Sequence, residues 1–387
     1  MLPYIITFAI SCFCIFIYER MKKKNKFILI IGLLLPCILA GLRAENIGTD
    51  ILVYAKSVYK CANDSISFND FMQMRFYDIK AGYWFTVKNM EFGYTTTVYI
   101  LAKLFHNFQI VLFATSVLIV FPIYYGLKKY SFITEKKLLY FSMFVFYMLI
   151  YTVTLNLMRQ SIAVAILFYA ISLVINDKKN SNIIKYLLLN IVAILFHKSA
   201  FIGIIFFAFY NLTKSRKKTK YLIINNKKIG INTINFMLLF ITSIIVIFVP
   251  GLAKKIVNLL SYIIGKDYSG YVWDTIGIVK TTILILPILI IYIIKYRKIN
   301  NFDYKKFLLI MNILYIATVQ FGSTTSFGGR ISLYFQIFNV ILYPILYNSF
   351  KYKISKFMFV LYLIIWWSYY LTAGDTYPYI FYFTSTI

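Results

Sequence analysis

The chain is 387 residues long, 61% hydrophobic, 20% aromatic and only 14% charged, with a formal net charge of +28. Soluble domains carry about 25% charged residues, so this composition excludes a water-soluble globular fold and fits apolar runs that cross roughly 30 Å of hydrocarbon. The positive charge does not indicate nucleic acid, because the lysines lie in short clusters between apolar runs, as they do in cytoplasmic loops of membrane proteins, and no basic face belongs to a soluble domain.

In chain order the expected spans are 3–18, 27–42, 108–127, 138–155, 158–175, 183–197, 199–213, 232–250, 276–294, 307–322, 331–347 and 357–373. The expected fold is all-α, a single polytopic membrane domain over residues 1–387 with about 12 transmembrane helices. The first apolar stretch, Pro3 to Tyr18, has no basic residues before it and no small-residue cleavage site after it, so it reads as a retained span. Arg20, Lys22, Lys23, Lys24 and Lys26 place residues 19–26 in the cytoplasm, with the N-terminus outside.

Residues 94–106 are too short to cross, and Tyr94, Val98, Leu101 and Phe105 share one helical face. They read as an interfacial or re-entrant helix on the outer side, within a long non-cytoplasmic loop over 43–107. Cytoplasmic loops then hold 27 of the 41 basic residues with 4 acidic ones, against 14 basic and 9 acidic residues elsewhere. This topology makes 214–231 a basic cytoplasmic loop and 251–275 a non-cytoplasmic segment, and it puts both termini outside the cytoplasm. Loop 43–93, the turns at 156–159 and 197–199, and loop 322–330 all fall at the outer face.

The unusual polar residues lie in those outer segments. Arginine is scarce, seven against 34 lysines, and Arg43, Arg159 and Arg330 each stand at the outer edge of an apolar span. A charge at that depth is costly and usually faces a cavity or partner. Any one of them alone could snorkel to headgroups, but three on one face point to a shared role. Guanidinium suits bidentate phosphate contact, so a lipid phosphate or diphosphate is the natural ligand.

His197 closes a span in Leu195-Phe196-His197-Lys198-Ser199, where an imidazole offers acid–base chemistry or a phosphate contact. Gly48 allows a tight turn that would fold Asp50 back toward Arg43. Glu91, just before the interfacial helix, either deprotonates a sugar hydroxyl or caps the helix N-terminus. Tyr54 and Tyr94 are candidates for stacking on sugar rings. His106 carries no assigned role, and four scattered cysteines give neither a disulfide framework nor a zinc site. The sequence has no P-loop, GxSxG elbow or HExxH pair, and no Asp-x-Asp pair in a loop. A nucleotide-driven pump and a metal-dependent nucleotide-sugar transferase are therefore disfavoured, and neither metal nor cofactor is expected. Arginines can neutralise a leaving diphosphate in place of a metal.

The ordered motifs resemble the EpsG family of the Wzy-like polymerases of bacterial surface polysaccharides. They are Gly41-Leu42-Arg43 with Gly48-Thr49-Asp50 and Tyr54, then Glu91-Phe92-Gly93-Tyr94, then Asn156-Leu157-Met158-Arg159-Gln160-Ser161-Ile162-Ala163. Phe196-His197-Lys198-Ser199-Ala200 and Arg330-Ile331-Ser332-Leu333-Tyr334-Phe335 complete the set, which covers roughly residues 1–345. The resemblance implies joining of undecaprenyl-diphosphate-linked oligosaccharide repeat units at the outer face of the cytoplasmic membrane, giving capsule, O-antigen or exopolysaccharide. It implies that Arg159 and Arg330 hold the donor diphosphate while Arg43 holds donor or acceptor lipid. Gln160, Lys198 and Ser199 would join Tyr54 and Tyr94 in binding substrate. His197, Glu91 or Asp50 would take the proton of the acceptor hydroxyl. Implied partners are the lipid-linked oligosaccharide, membrane lipids, a chain-length regulator and a flippase. A flippase or other transporter would show related halves and polar residues deep in its spans, and an O-antigen ligase-like enzyme would use the same donor with another acceptor.

Overall fold

A computed structural model describes residues 1–79, 82–176, 179–213, 221–224, 227–230, 255, 258, 280–299, 304–322 and 326–384. The expected span 232–250 and nearly all of segment 251–275 lie outside the described residues, and of the basic loop 214–231 only two short strands are described. The chain forms two compact units, Met1–Phe201 with Phe350–Ile387, and Ile202–Ser349.

In the first unit, α1 (Leu2–Arg20) and α2 (Lys26–Gly41) form a hairpin around the basic turn. Asn25 starts α2 by accepting the Phe27 N–H at 2.9 Å, a side-chain cap that contributes about 1 kcal/mol. The stretch expected to be a loop is instead ordered. It comprises a π-helical turn (Ile51–Ala55), α3 (Lys56–Asp64), α4 (Phe68–Gln73), the hairpin β1 (Arg75–Asp78) and β2 (Tyr83–Thr86), and a 3-10 turn (Val87–Asn89). The fold is thus mainly, but not wholly, helical.

Next comes α5 (Phe92–Phe105), 14 residues long, or about 21 Å, too short to cross the hydrocarbon. Its buried face is Tyr94, Thr95, Val98 and Ala102, while Leu101 is half-buried and Phe105 is 52% exposed. The 3.6-residue period does select a face, but the small Ala102 continues it where the larger Phe105 was expected.

Then follow α6 (Phe108–Leu127), α7 (Ser131–Glu135) and α8 (Leu139–Phe146). A π-helical turn (Tyr147–Tyr151) carries α8 into α9 (Thr152–Asn156), and the chain breaks at Leu157 before α10 (Met158–Asn176) and α11 (Asn180–Phe196). Buried Glu19, at the end of α1, accepts the backbone N–H groups of Leu139 and Tyr140, each at 3.0 Å. These are unsatisfied donors of the first turn of α8, so the basic end of α1 is locked to the start of α8. The last helix, Lys353–Ala373, packs on the π-helical turn 147–151. Helix directions therefore gather Arg20, Lys24, Lys136, Lys137 and Lys353 at one end of this unit, and Tyr4, Arg43, the 156–159 break and Thr376 at the other.

The second unit contains helices Gly203–Thr213, Lys280–Lys295, Lys305–Gly322, Ser326–Gln336 and Asn339–Ser349, with a short hairpin of Tyr221–Ile224 and Lys227–Gly230. Phe206 and Phe307 pack edge-on against Phe338 in its interior, and Asn312 donates to Asn339 at 3.1 Å.

Among the described residues, five helices are long and apolar enough to cross a membrane: Leu2–Arg20, Phe108–Leu127, Leu139–Asn156, Met158–Ile175 and Lys353–Thr372. The pair Gly329–Gln336 and Asn339–Ser349, bent by 50°, makes up to six. The expected spans 27–42, 183–197, 199–213 and 276–294 correspond to shorter apolar helices. At about 1.5 Å per residue, a helix of roughly 16 residues falls short of 30 Å. Among the described residues the expected count of about 12 is not confirmed, because apolar length in the sequence does not fix where a helix ends.

Candidate functional site

The site is built around the break between α9 and α10. Gly48 lies at φ +92°, and a Cβ there would sit 2.4 Å from the Leu155 carbonyl oxygen, so the 41–50 turn presses directly on the end of α9. Thr49 donates its N–H to Asn156 Oδ1 at 2.9 Å. The Asn156 amide in turn donates to the Gly374 carbonyl.

Breaking the helix at Leu157 leaves the first N–H groups of α10 without intrahelical partners. Asp50 supplies one, accepting the Met158 N–H at 2.9 Å, and it also accepts the Tyr54 hydroxyl. Arg43 is 2% exposed and directs Nη2 to the Met158 sulfur at 3.1 Å. Asp50 and Arg43 thus both meet Met158, and the Asp50 carboxylate also acts electrostatically on the Arg43 guanidinium. Tyr4, Tyr151 and Tyr379 surround the guanidinium, whose pKa burial draws down, and its Nε has no partner among the described residues. Arg43, expected to hold a lipid donor, lies beneath the surface. A buried guanidinium keeps its charge and here braces the break from behind.

Arg159, in the first turn of α10, carries the exposed part of the site. Its guanidinium lies 4.1 Å from the centroid of the Tyr54 ring, within cation–π range, and pairs with the Glu91 carboxylate. The side chains of Arg159 and Glu91 are 24% and 11% exposed, so the pair opens to the surface while Tyr54 and Tyr94 are buried below it. Glu91 occupies the cap position of α5 but makes no side-chain capping bond; of its two expected roles, capping is absent. Tyr94 meets Tyr54 edge-on at 5.6 Å, and its hydroxyl has no partner among the described residues. Burial, with the Asp50 carboxylate adjoining, raises the Tyr54 pKa well above its ordinary value, so this hydroxyl is a donor. The two tyrosines underlie the ion pair and do not present open faces for stacking. Gln160, the residue after Arg159 in α10, is buried.

Gly93 brings α11 to the same place: a Cβ there would lie 2.9 Å from the Leu195 carbonyl oxygen. His197, two residues further on, is half-buried just past α11. Its Nδ1 meets the Ser199 hydroxyl at 2.6 Å and accepts the Ser199 N–H at 3.3 Å. A backbone N–H can only donate, so Nδ1 is the acceptor and a neutral ring carries its proton on Nε2. Lys198 is exposed. Arg330 is exposed on helix Ser326–Gln336 of the second unit.

Sequence reasoning missed the C-terminal segment after Ala373. Asp375 accepts the Gly48 N–H at 3.0 Å, Ile380 accepts the Ala44 N–H at 2.9 Å, and Tyr382 donates to the Leu42 carbonyl at 2.9 Å. Thr376 accepts the Tyr4 hydroxyl at 2.9 Å, and Arg43 bridges to Phe381. Asn156 was visible in a motif, yet nothing in the sequence showed that it ties the 41–50 turn to this strap. A chain ending at Ala373 is expected to lose its activity and to melt on the order of 5 °C lower in detergent, read by thermal shift on gel filtration. An unchanged midpoint would show that the strap does not hold the turn.

No curated protein and no solved structure is significantly similar to the chain. The sequence model of the EpsG family matches residues 26–382, a range that takes in Arg43, Asp50, Glu91, Arg159, His197 and nearly all of the C-terminal strap. The chain therefore belongs to the EpsG family, a family of Wzy-like polymerases.

Proposed function

We propose that this protein joins undecaprenyl-diphosphate-linked oligosaccharide repeat units into a surface polysaccharide or exopolysaccharide at the outer face of the cytoplasmic membrane. Membership of the EpsG family supports repeat-unit polymerisation. The observation that carries the reading to this site is the Arg159–Glu91 pair, partly exposed over Tyr54 at the end of the first unit remote from its basic turns. Basic turns face the cytoplasm, which supports an outer position for the pair.

The acceptor hydroxyl oxygen attacks the anomeric carbon of the donor, the bond to the diphosphate oxygen breaks, and undecaprenyl diphosphate leaves. Arg159 has N–H groups beyond the one engaged by Glu91, and these meet the growing negative charge on the leaving oxygen. Glu91 takes the proton of the acceptor hydroxyl. His197, whose neutral ring carries its proton on Nε2, serves as a donor to the diphosphate or the acceptor, so among the three candidate bases the preference falls on Glu91. Asp50 is engaged twice through Oδ2 and acts with Arg43 and Asn156 in positioning the break.

The gene is deleted and complemented, and surface and lipid-linked glycans are separated on a gel. Single repeat units on the carrier in the deletion, with a long ladder restored by the wild-type gene, are expected. Repeat units trapped on the cytoplasmic side would make the protein a flippase, and long chains unattached to their acceptor would make it a ligase.

A further inference from the structure

The hairpin of β1 and β2 has an unusual outward face. The register pairs Arg75 with Thr86 and Tyr77 with Trp84, and directly opposed residues of an antiparallel pair share a face. Phe76 and Phe85 stand opposite on the inner face, where Phe76 is buried and Phe85 half-buried. Burial alternates over Arg75, Phe76 and Tyr77, whereas in β2 Tyr83 and Trp84 are both exposed and Phe85 and Thr86 both half-buried, and the outward positions are not simply polar. Tyr77 is 45% and Trp84 63% exposed, and their rings meet at 5.7 Å and 65°. Arg75 is exposed at one end of this corner, with half-buried Thr86 opposite it.

The hairpin is fixed to the candidate site at both roots. Its first strand packs against α3 and the π-helical turn that bears Tyr54, and the Cys61 thiol reaches the Arg75 carbonyl at 3.9 Å. Its second strand runs through the 3-10 turn Val87–Asn89 straight to Glu91, and Val87 donates back to the Met74 carbonyl at 3.0 Å. The platform is therefore continuous with the segments carrying Tyr54 and Glu91.

We propose that the Tyr77–Trp84 face, with Arg75 and Thr86 at its edge, binds the glycan chain adjacent to the bond being formed. This rests on the polymerase reading above and names a subsite for it. Aromatic faces carry negative charge density and attract the C–H-rich face of a pyranose ring. Arg75 and Thr86 supply hydrogen-bond donors to hydroxyl or carboxylate groups at the ring edge. Interfacial anchoring is the competing use of exposed aromatics, but such belts sit at the ends of spanning segments. This pair lies on a hairpin between α4 and the turn to Glu91, away from any span in the sequence.

The test uses the full chain in nanodiscs, with the polysaccharide of the strain that carries the gene, released from its lipid and sized into oligomers, as the probe. Subtracting the fluorescence of Trp84→Phe from that of wild type isolates the Trp84 signal. Oligomers are expected to shield Trp84 from acrylamide. Trp84→Ala and Tyr77→Ala are each expected to bind them about tenfold more weakly, and Trp84→Phe about as well as wild type. Quenching of Trp84 by brominated phosphatidylcholine would overturn the proposal in favour of a membrane anchor. So would oligomer binding that is absent in wild type or undiminished in Trp84→Ala. Shielding by oligomers in a protein whose deletion leaves the glycan ladder intact would retain the platform and remove the polymerase reading, so the two failures are distinct.

Discussion

Replacement of Arg159 by Ala is expected to abolish the polysaccharide ladder, with a fall in chain extension of about 10²–10³-fold, the size seen when one donor to a developing negative charge is removed. The geometry gives three reasons. Arg159 is the partly exposed guanidinium of the cluster, whereas Arg43 is buried against Met158. It is held on two sides, by Glu91 and by the Tyr54 ring 4.1 Å away, so its remaining donors are fixed in direction before substrate arrives. Its removal also leaves the Glu91 carboxylate largely buried without its cation, and breaking such a pair destabilises more than the pair itself contributes. The Arg159→Lys variant separates chemistry from folding. An ammonium group at this position would keep the charge opposite Glu91 but lose the planar fork. The variant should therefore insert and melt like wild type while losing about tenfold or more in extension. A complete wild-type ladder from Arg159→Lys would sink the bidentate contact. Glu91→Gln is the companion variant, since it keeps the shape and removes the proposed base.

Gly48→Ala should be the most damaging conservative change in the first unit. At φ +92° an L side chain is strained, and its Cβ would lie 2.4 Å from the Leu155 carbonyl oxygen. That oxygen belongs to the backbone at the end of α9 and cannot swing away as a flexible side chain can. Strain of this kind costs about 1–3 kcal/mol, and relief requires the turn to lift from α9. Lifting it breaks the Thr49–Asn156 bond and draws Asp50 off the first N–H of α10, so Arg159 shifts with the helix. A misplacement near 1 Å can cost about 100-fold in rate. The expected result is a lower melting midpoint together with loss of the ladder. Gly82→Ala is the control: Gly82 also has positive φ, +75°, but nothing lies within 4 Å of its would-be Cβ. It should show only the penalty of the backbone conformation, about 1 kcal/mol. Equal damage from the two substitutions would mean that contact with α9 is not what matters at Gly48.

The roles that the resemblance assigned divide clearly in the fold. Arg159, Glu91, Asp50, Tyr54 and Tyr94 came from separate motifs and form one cluster in the first unit. Gly93 sets Leu195 against the same turn, so His197 follows close behind. Arg330 stands in the other unit.

What the sequence determined by itself was chemistry and class. A chain with 14% charged residues and long apolar runs has only a membrane as solvent, and rare arginines at the edges of those runs mark the residues that must be satisfied by something specific. Family membership was legible for the same reason, because the motifs are local strings. What only the tertiary structure decided was pairing. Glu91 meets Arg159 across 68 residues, Asp50 meets the Met158 N–H across 108, and Asn156 meets Gly374 across 218. Such partners depend on which helix ends come together and on where α9 breaks. Helical period fixes a buried face but not its neighbour, and apolar length fixes a run but not the turn that ends it. The fold of the chain onto itself therefore gave Asp50 the Met158 N–H as a further partner, Glu91 an ion pair in place of a helix cap, and the 42–48 turn a C-terminal strap.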